Sequence, residues 1–115
     1  MTKSHKENGI DCVVEEESNK YKGIMAIKRN MPQGFELFLL MVNKANRNRG
    51  ISHKLIQECV AITTKENYRC IDCFVVTDNK NMLRLQIKNS FMPLEMQYHP
   101  RADGMDLLKL RRYIN

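Results

Sequence analysis

Two arginines and a glycine stand in a short polar segment that could bind an anion. The segment covers residues 43–50 and includes Arg47, Arg49 and Gly50. The apolar run before it predicts a central strand, and the apolar spacing after it predicts a helix. Because the first turn of a helix has unpaired N–H groups and a partial positive charge, this order could hold a diphosphate. An ordinary strand-to-helix turn with solvated arginines would show the same residues.

Cys70 and Cys73 form a C-x-x-C spacing, which could indicate a redox pair or half of a zinc site. A structural zinc site needs two more ligands at compatible spacing, and the sequence has no second pair. A redox pair is typical of a helix N-terminus, whereas these cysteines lie in an apolar run, residues 70–76, that predicts a strand. We therefore expect buried strand thiols and no metal site.

Composition narrows the class of protein. The 115 residues are 43% hydrophobic and 28% charged, which fits one globular domain and excludes disordered and collagen-like chains. No apolar run approaches the ~20 residues that cross a bilayer. Residues 1–8 are polar and lack the apolar core of a secretion signal. We therefore expect a cytoplasmic protein without a membrane partner.

The net charge of +6 attracts polyanions without identifying them. The chain has no Trp and 7% aromatic residues, and its Lys and Arg residues are spread along the sequence. A nucleic-acid domain usually clusters its stacking aromatics with its basic residues. We therefore expect no specific nucleic-acid partner.

Hydrophobic patterning predicts the element order β-β-β-α-β-α-β-β. Residues 1–10 are predicted to be a polar leader, and residues 11–115 are predicted to form a single domain. The predicted strands cover residues 11–16, 22–28, 35–42, 70–76, 94–99 and 107–114, and the helices cover 51–66 and 79–88. Because strands outnumber helices, the fold class is α/β of the α+β kind, with a mostly antiparallel sheet. The central β-α-β unit should pair in parallel.

At residues 47–52 the sequence Arg-Asn-Arg-Gly-Ile-Ser resembles the R/Q-x-x-G-x-G/A signature of the GNAT superfamily of acyl-CoA-dependent N-acetyltransferases. Val42 ends the preceding strand five residues earlier, as in that family. Glu36 and Leu37 match the frequent Glu-Leu at the start of the same strand. Ser52 stands where the family usually has Gly or Ala, and it is small enough to fit.

A second motif strengthens the resemblance. Residues 79–91 are similar to the pattern N-x-x-A/M-x-x-L-Y-x-x-x-G-F, with Gln86 in place of the tyrosine and Ser90 in place of the glycine. Gly23 also lies in a strand where the family tends to carry glycine. The resemblance extends over about residues 11–114 without internal gaps.

The resemblance implies a GNAT-like mixed sheet whose central parallel strands splay apart to admit acetyl-CoA. The pantetheine arm would extend the strand that ends at Val42, and the backbone of residues 47–52 would hold the diphosphate. A strand N–H near Leu40 would polarise the thioester oxygen. The implied cofactor-binding residues are Leu40, Met41, Val42, Arg47, Asn48, Arg49, Gly50, Ile51, Ser52, Asn79 and Met82.

The resemblance leaves the catalytic residues open. Glu36 lies where the histone-acetyltransferase branch carries its general base, and a structural strand glutamate would fit there equally well. Many relatives place at position 86 the tyrosine that protonates the departing thiolate, whereas the Gln86 amide has no such proton to give. Tyr98, Tyr113 or solvent could serve instead, and Tyr98 is the predicted catalytic acid.

The expected late start of the first strand implies a short form that lacks the family's N-terminal strand and helix pair, which wall the acceptor site. The acceptor site would then be open or completed by another chain, and an uncapped strand edge favours a homodimer. The sequence thus predicts an N-acetyltransferase that transfers acetyl from acetyl-CoA to a primary amine by direct attack. A catalytically degenerate acetyl-CoA-binding or sensing module is the alternative, and a basic nucleic-acid adaptor is a third interpretation.

Overall fold

The computed structural model describes residues 2–7, 10–30, 34–46, 50–98 and 103–114. All the predicted strands and both predicted helices are present, with ends that differ by a few residues. The elements are β1 (Thr2–Glu7), β2 (Ile10–Glu17), β3 (Lys20–Asn30), β4 (Gly34–Val42), a 3-10 turn (Lys44–Asn46), α1 (Ile51–Lys65), β5 (Cys70–Val76), α2 (Lys80–Lys88), β6 (Met92–Gln97) and β7 (Leu107–Tyr113).

One seven-stranded sheet organises the chain, in the order β1-β2-β3-β4-β5-β7-β6. Neighbouring strands are antiparallel except β4 and β5, which are parallel and are joined by α1. This arrangement confirms the predicted fold class, a mixed and mostly antiparallel sheet with a central β-α-β unit. Within the described residues, no helix is both long and apolar enough to cross a membrane.

The prediction of a polar leader is wrong for most of residues 1–10. Thr2–Glu7 forms β1, which pairs antiparallel with β2, and Ile10 already belongs to β2. Residues 2–9 contain no apolar side chain, so hydrophobic patterning gives no strand signal there. The pairing of β1 depends on backbone hydrogen bonds to β2, which any side chain permits. A strand therefore precedes β2, contrary to the short form that was predicted, and the observed order has four strands before α1.

Strand β6 also differs from its predicted range of residues 94–99. It begins at Met92 and includes Pro93, two residues earlier than predicted. Since β6 lies at the edge of the sheet and pairs only with β7, a residue without a backbone N–H costs it little.

The hydrophobic core lies between one face of the sheet and the two helices. Helix α1 contributes Ile51, Leu55, Ile56 and Cys59, all buried. The strands contribute Val13, Met25, Ile27, Phe35, Leu37, Ile71, Cys73, Val75 and Leu110. A Cβ at Gly23 of β3 would lie 2.9 Å from Ile51 Cγ2, so this glycine permits the close approach of α1 to the sheet.

The central strands β4 and β5 separate partway along their length. They pair only from Gly34 to Leu37, opposite Cys70 to Cys73, and then diverge towards β3 and β7. The register between β3 and β4 shifts at this point, so Phe38 is the extra residue of a β-bulge. The result is the predicted splay, a wedge-shaped gap between the carboxyl ends of two parallel strands.

Candidate functional site

A groove of about 1110 Å³ runs between the end of β4, the first turn of α1 and α2. It brings together every predicted cofactor-binding residue that the structure describes. Arg47, Asn48 and Arg49 lie outside the described residues. The groove is lined by Leu40, Met41, Val42, Gly50, Ile51, Ser52, His53, Asn79, Asn81, Met82, Arg84, Leu85, Lys88 and Asn89.

The first turn of α1 has features of an anion-binding helix terminus. Gly50 is its N-cap with a φ of 76°, a left-handed conformation that favours glycine. No side chain caps the helix, and its first turn contains no acidic residue. The first helical hydrogen bond is donated by the Lys54 N–H to the Gly50 carbonyl at 3.0 Å. The residues of this turn, Gly50 to His53, line the groove, and the N–H groups that precede Lys54 have no partner within the helix, so they suit a phosphate.

A smaller space of about 210 Å³ occupies the splay between β4 and β5. It shares Leu40, Asn79 and Met82 with the groove, so the two spaces adjoin. Its remaining lining consists of Leu37, Phe38, Leu39, Cys73, Phe74, Val75, Val76 and Gln86. The site as a whole is therefore a groove with polar and basic side chains on its helical walls. It continues into a cleft, here called the apolar cleft because most of its lining side chains are apolar.

Gln86 is the buried one of the two polar residues that line this cleft, the other being Asn79. Its side chain is 2% exposed, and its Nε2 donates only to the Met82 sulfur at 3.6 Å. Its Oε1 is the one buried side-chain polar atom within the described residues that lacks a hydrogen-bond partner. Since an unpaired buried acceptor costs free energy, the cleft suits a ligand that can donate a hydrogen bond there.

Helix α2 begins with Asn79, as the sequence predicted. The Asn79 Oδ1 accepts a hydrogen bond from the Met82 N–H at 3.2 Å, which makes Asn79 the N-cap. The side chain thereby sits at the junction of groove and cleft. Its capping role leaves the amide Nδ2 as the group that could donate to a ligand.

His53 has a structural connection that sequence reasoning missed. Its side chain is exposed at the first turn of α1. Its Nδ1 also lies 2.7 Å from Oδ1 of Asn89, which is 5% exposed and donates through Nδ2 to the Leu85 carbonyl. This contact joins the first turn of α1 to the C-terminal end of α2, and both residues line the groove. The two residues are 36 positions apart, so no local pattern indicates the pairing.

The predicted catalytic residues lie outside the lining of both spaces. Glu36 is half-buried on β4, in register with Asp72 of β5 and Lys28 of β3, two residues before the bulge. Tyr98 is 72% exposed and follows β6. The structure thus places Glu36 near the point where the strands separate and does not bring Tyr98 to it. Both roles remain predictions.

Asp72 is held by basic residues of β7. Arg111 donates to it through Nε at 2.6 Å and through an Nη at 3.0 Å, and Lys109 Nζ lies 3.7 Å away. The hydrogen bonds to Asp72 raise the pKa of Arg111 above its ordinary value. This paired cluster ties β5 to β7 next to Glu36.

The cysteines of the C-x-x-C spacing are buried in β5, as predicted. Cys70 and Cys73 are 4% and 2% exposed. Burial raises the pKa of Cys73 from 9.0 to about 12, with a further contribution from the Asp72 charge, and burial likewise raises the pKa of Cys70. Both thiols are therefore protonated near neutral pH. In the described part of the chain, no group of three or more His, Cys, Asp or Glu residues is arranged to hold a metal ion.

The splayed central strands and the uncapped helix N-terminus beside the groove agree with the fold that is expected of an acyl-CoA-dependent acetyltransferase. Residues 1–85 match the family model for the acetyltransferase (GNAT) domain. The chain belongs to the GNAT acetyltransferase family. An acetyltransferase of this family takes its acetyl group from acetyl-CoA, in agreement with the predicted cofactor. No curated protein sequence matches the chain.

Solved structures support the same fold. An IAA acetyltransferase from Bacillus cereus is similar with a TM-score of 0.84 and 14% identity, over 91% of this chain and 78% of its own. A GNAT acetyltransferase from Elizabethkingia anophelis with acetyl-CoA bound has a TM-score of 0.85 and 14% identity, over 91% and 76%. The ribosomal-protein-S18-alanine N-acetyltransferase from Escherichia coli has a TM-score of 0.82 and 14% identity, over 96% and 72%.

Proposed function

We propose that this protein is an N-acetyltransferase that transfers an acetyl group from acetyl-CoA to a primary amine. The observation that carries the proposal is the groove itself. Its α1 end offers uncapped N–H groups without an acidic neighbour, and its other end opens into the apolar cleft between β4 and β5. This arrangement matches a ligand with a phosphorylated nucleotide at one end and an uncharged arm at the other.

In this proposal, different residues of the groove hold different parts of the cofactor. The backbone of residues 47–52 holds the diphosphate, with Arg47 and Arg49 contributing positive charge. Leu40, Met41, Val42, Asn79 and Met82 hold the pantetheine arm. Beyond Leu37, β4 no longer pairs with β5, so its backbone groups on that side are available to the arm. The bound cofactor supplies an activated thioester, and an N–H near Leu40 polarises its oxygen.

Glu36 accepts the proton of the amine in this proposal. It stands two residues before the bulge at Phe38, on the strand that lines the cleft. Strand alternation places it on the face opposite Phe35 and Leu37, which are buried in the core. An acceptor that approaches over this opposite face would meet Glu36 before it reaches the cleft.

Among the described residues that line the cleft, none is a good proton donor for the leaving thiolate, because the raised pKa of Cys73 makes its thiol a weaker acid than an ordinary thiol. Gln86 can hydrogen-bond to sulfur but cannot protonate it, and Tyr98 lies outside both spaces. This observation favours a second candidate function, an acetyl-CoA-binding or sensing module without efficient turnover. In the enzyme, Tyr98 or solvent would supply the proton. A cytoplasmic location and a homodimer stay predictions.

The test is a calorimetric titration with acetyl-CoA at two salt concentrations, with ATP as the polyanion control. We expect acetyl-CoA to bind selectively and to retain most of its affinity at the higher salt. Equal, salt-sensitive binding of both ligands would contradict the cofactor site and indicate a general polyanion surface.

Turnover then separates the enzyme from the binding module. A screen of primary amines, including peptide N-termini and lysine peptides, would follow release of free CoA and the mass of the acetylated product. An acetylated amine formed at a rate above the reaction without protein supports the enzyme. Tight binding of acetyl-CoA with no product from any amine favours the sensing module.

A further inference from the structure

The cleft between β4 and β5 also reaches the face of the sheet opposite the two helices, and its lining there is apolar. Phe74 and Val76 of β5 lie on this face, because they alternate with residues that are buried in the core. Leu39 of β4 lies there too, since it pairs with Ala26, which alternates with core residues of β3. The bulge residue Phe38 is 46% exposed beside it. These four cleft-lining residues, Phe38, Leu39, Phe74 and Val76, are here called the acceptor rim.

A row of charged residues crosses the same face next to the acceptor rim. The row runs in register over β3, β4, β5 and β7 and consists of Lys28, Glu36, Asp72 and Arg111. Lys109 adds a further positive charge, with its Nζ 3.7 Å from the Asp72 carboxylate and 5.9 Å from the centre of the Phe74 ring. These charged residues thus carry three positive and two negative charges, so they give this face no excess of negative charge.

This combination of an apolar rim and balanced charges distinguishes between kinds of amine. A primary amine is protonated near neutral pH, and Glu36 offers a carboxylate to that one positive charge, two residues from Phe38 on the same strand. A polyamine would bring further ammonium groups against apolar side chains or beside Lys109 and Arg111, which costs hydration and adds repulsion. An apolar substituent on the amine would instead leave water on contact with the acceptor rim, which is favourable.

We propose that the acceptor is an amine with a single positive charge and an apolar substituent, and that Phe38 and Phe74 make the enzyme selective for it. The inference rests on the proposed function and adds the class of the acceptor. Phe38 offers an exposed ring at the mouth of the cleft, and an aromatic substituent packs favourably against such a ring, edge-on or offset. A small amine and the N-terminus of a peptide with an apolar first residue share this chemistry, so each is tested.

The experiment measures acetyl transfer at saturating acetyl-CoA to three small amines. These are 2-phenylethylamine, ethanolamine as a polar amine of the same charge, and spermidine as a polycation. We expect kcat/KM to be at least about tenfold higher for 2-phenylethylamine than for either of the others. A second arm compares two peptides that differ only in an N-terminal phenylalanine or asparagine, and the same preference for the apolar group is expected there. The arm that gives product identifies the source of the amine.

Variants of the acceptor rim test the residues that determine the preference. Phe38→Ala is the first variant, because its ring is exposed and lies outside the core, and Phe74→Ala is the second. Each should reduce the preference for 2-phenylethylamine over ethanolamine by about fivefold. Tyr21→Ala is the matched control, because it removes an exposed aromatic ring from the sheet at a position that lines neither space. Thermal unfolding confirms that each variant is folded.

The possible outcomes separate this inference from the proposed function. Equal use of the three amines, or a preference for spermidine, overturns the inference and leaves the N-acetyltransferase standing. A wild-type preference in both rim variants, or an equal loss of preference in Tyr21→Ala, overturns the role of Phe38 and Phe74 in the same way. If acetyl-CoA binds and no amine is acetylated in either arm, the inference fails together with the proposed transfer.

Discussion

At the scale of single residues, Gln86 is the side chain with the clearest unmet requirement. Its carboxamide is 2% exposed in the apolar cleft, and its Oε1 has no partner among the described atoms. A buried acceptor of this kind destabilises the free protein by about 1–3 kcal/mol. Gln86 stands at the position of the tyrosine in the family motif. The destabilisation by its unpaired oxygen is therefore consistent with a side chain that contacts a bound ligand.

The variant Gln86→Leu should separate the effect of this side chain on the stability of the free protein from its effect on ligand binding. Leucine has a similar size and no polar atom, so we expect the free energy of unfolding in urea to stay equal or to rise by about 1 kcal/mol. Acetyl-CoA affinity should fall in the same variant. Gln57→Leu, the same change at an exposed position of α1, should leave affinity unchanged. A clear loss of stability in Gln86→Leu would instead show that the fold satisfies the amide.

Glu36→Gln tests the proposed base. The amide cannot accept the proton of the amine, so the acetylation rate at neutral pH should fall by about 100-fold or more, while acetyl-CoA affinity stays within about twofold. Rates and affinities would be measured on the same preparation. A wild-type rate would show that Glu36 is a structural strand residue.

At the scale of elements, the N-terminus of α1 is predicted to bind the diphosphate. Gly50 has a positive φ, and a Cβ there would meet no atom of the described residues within 4 Å, so a larger side chain strains the backbone without a clash among them. The turn is therefore open to variants that differ only in charge.

Gly50→Glu and Gly50→Gln form the matched pair. Both add the same bulk and the same backbone strain, but glutamate puts a negative charge where the diphosphate should bind. We expect Gly50→Glu to bind acetyl-CoA at least about tenfold more weakly than Gly50→Gln. A carboxylate near the N-terminus favours the helix, so the glutamate variant should be no less stable. Equal affinities would contradict the assignment of the diphosphate to this turn.

The pairing of β4 with β5 depends on Gly34. A Cβ at this position would lie 2.1 Å from the Cys70 carbonyl oxygen, which is backbone and cannot rotate away. Gly34→Ala should therefore destabilise the protein by at least about 2 kcal/mol in urea unfolding. Gly104→Ala, which has a φ of 77° and open space around its Cβ, should cost about 1 kcal/mol. Equal losses of stability in the two variants would show that the close approach of Cys70 is not the reason for glycine at position 34.

At the scale of the whole molecule, the sheet is covered by helices on one face. Only two residues, Asn8 and Gly9, separate β1 from β2, so no helix pair is inserted between these strands. Helices α1 and α2 both pack on the core cluster, and on the other face Met41 is 59% exposed. The face of the sheet opposite the helices is therefore open within the described chain, and under the proposed function a large amine substrate would approach over this face.

The buried thiols make global stability sensitive to alkaline pH. Burial raises the pKa of Cys59 and of Cys73 from 9.0 to about 12. Between these values the unfolded chain loses protons that the folded chain keeps, so stability is fully present below about pH 9 and declines as pH rises towards 12. Each thiol contributes a slope of up to about 1.4 kcal/mol per pH unit.

Urea unfolding under reducing conditions at about pH 8 and about pH 10 measures this slope. Cys59→Ala should reduce the decline, because one of the two titrating thiols is gone while all other groups stay the same. An unchanged slope in the variant would contradict the raised pKa of Cys59.

Local patterns in the sequence determined much of this protein. The apolar run of residues 35–42, the basic loop and the helical spacing after Gly50 follow one another along the chain, so the strand, turn and helix that form the groove wall could be predicted from covalent neighbours. The tertiary structure decided the remaining features. Strand β1 has no hydrophobic pattern, and it forms because its backbone pairs with β2. The His53–Asn89 contact joins residues that are 36 positions apart. The unpaired Gln86 oxygen likewise results from what packs around it. Such features depend on which elements meet in space, and this is set by the packing of the whole chain rather than by the spacing of neighbouring residues.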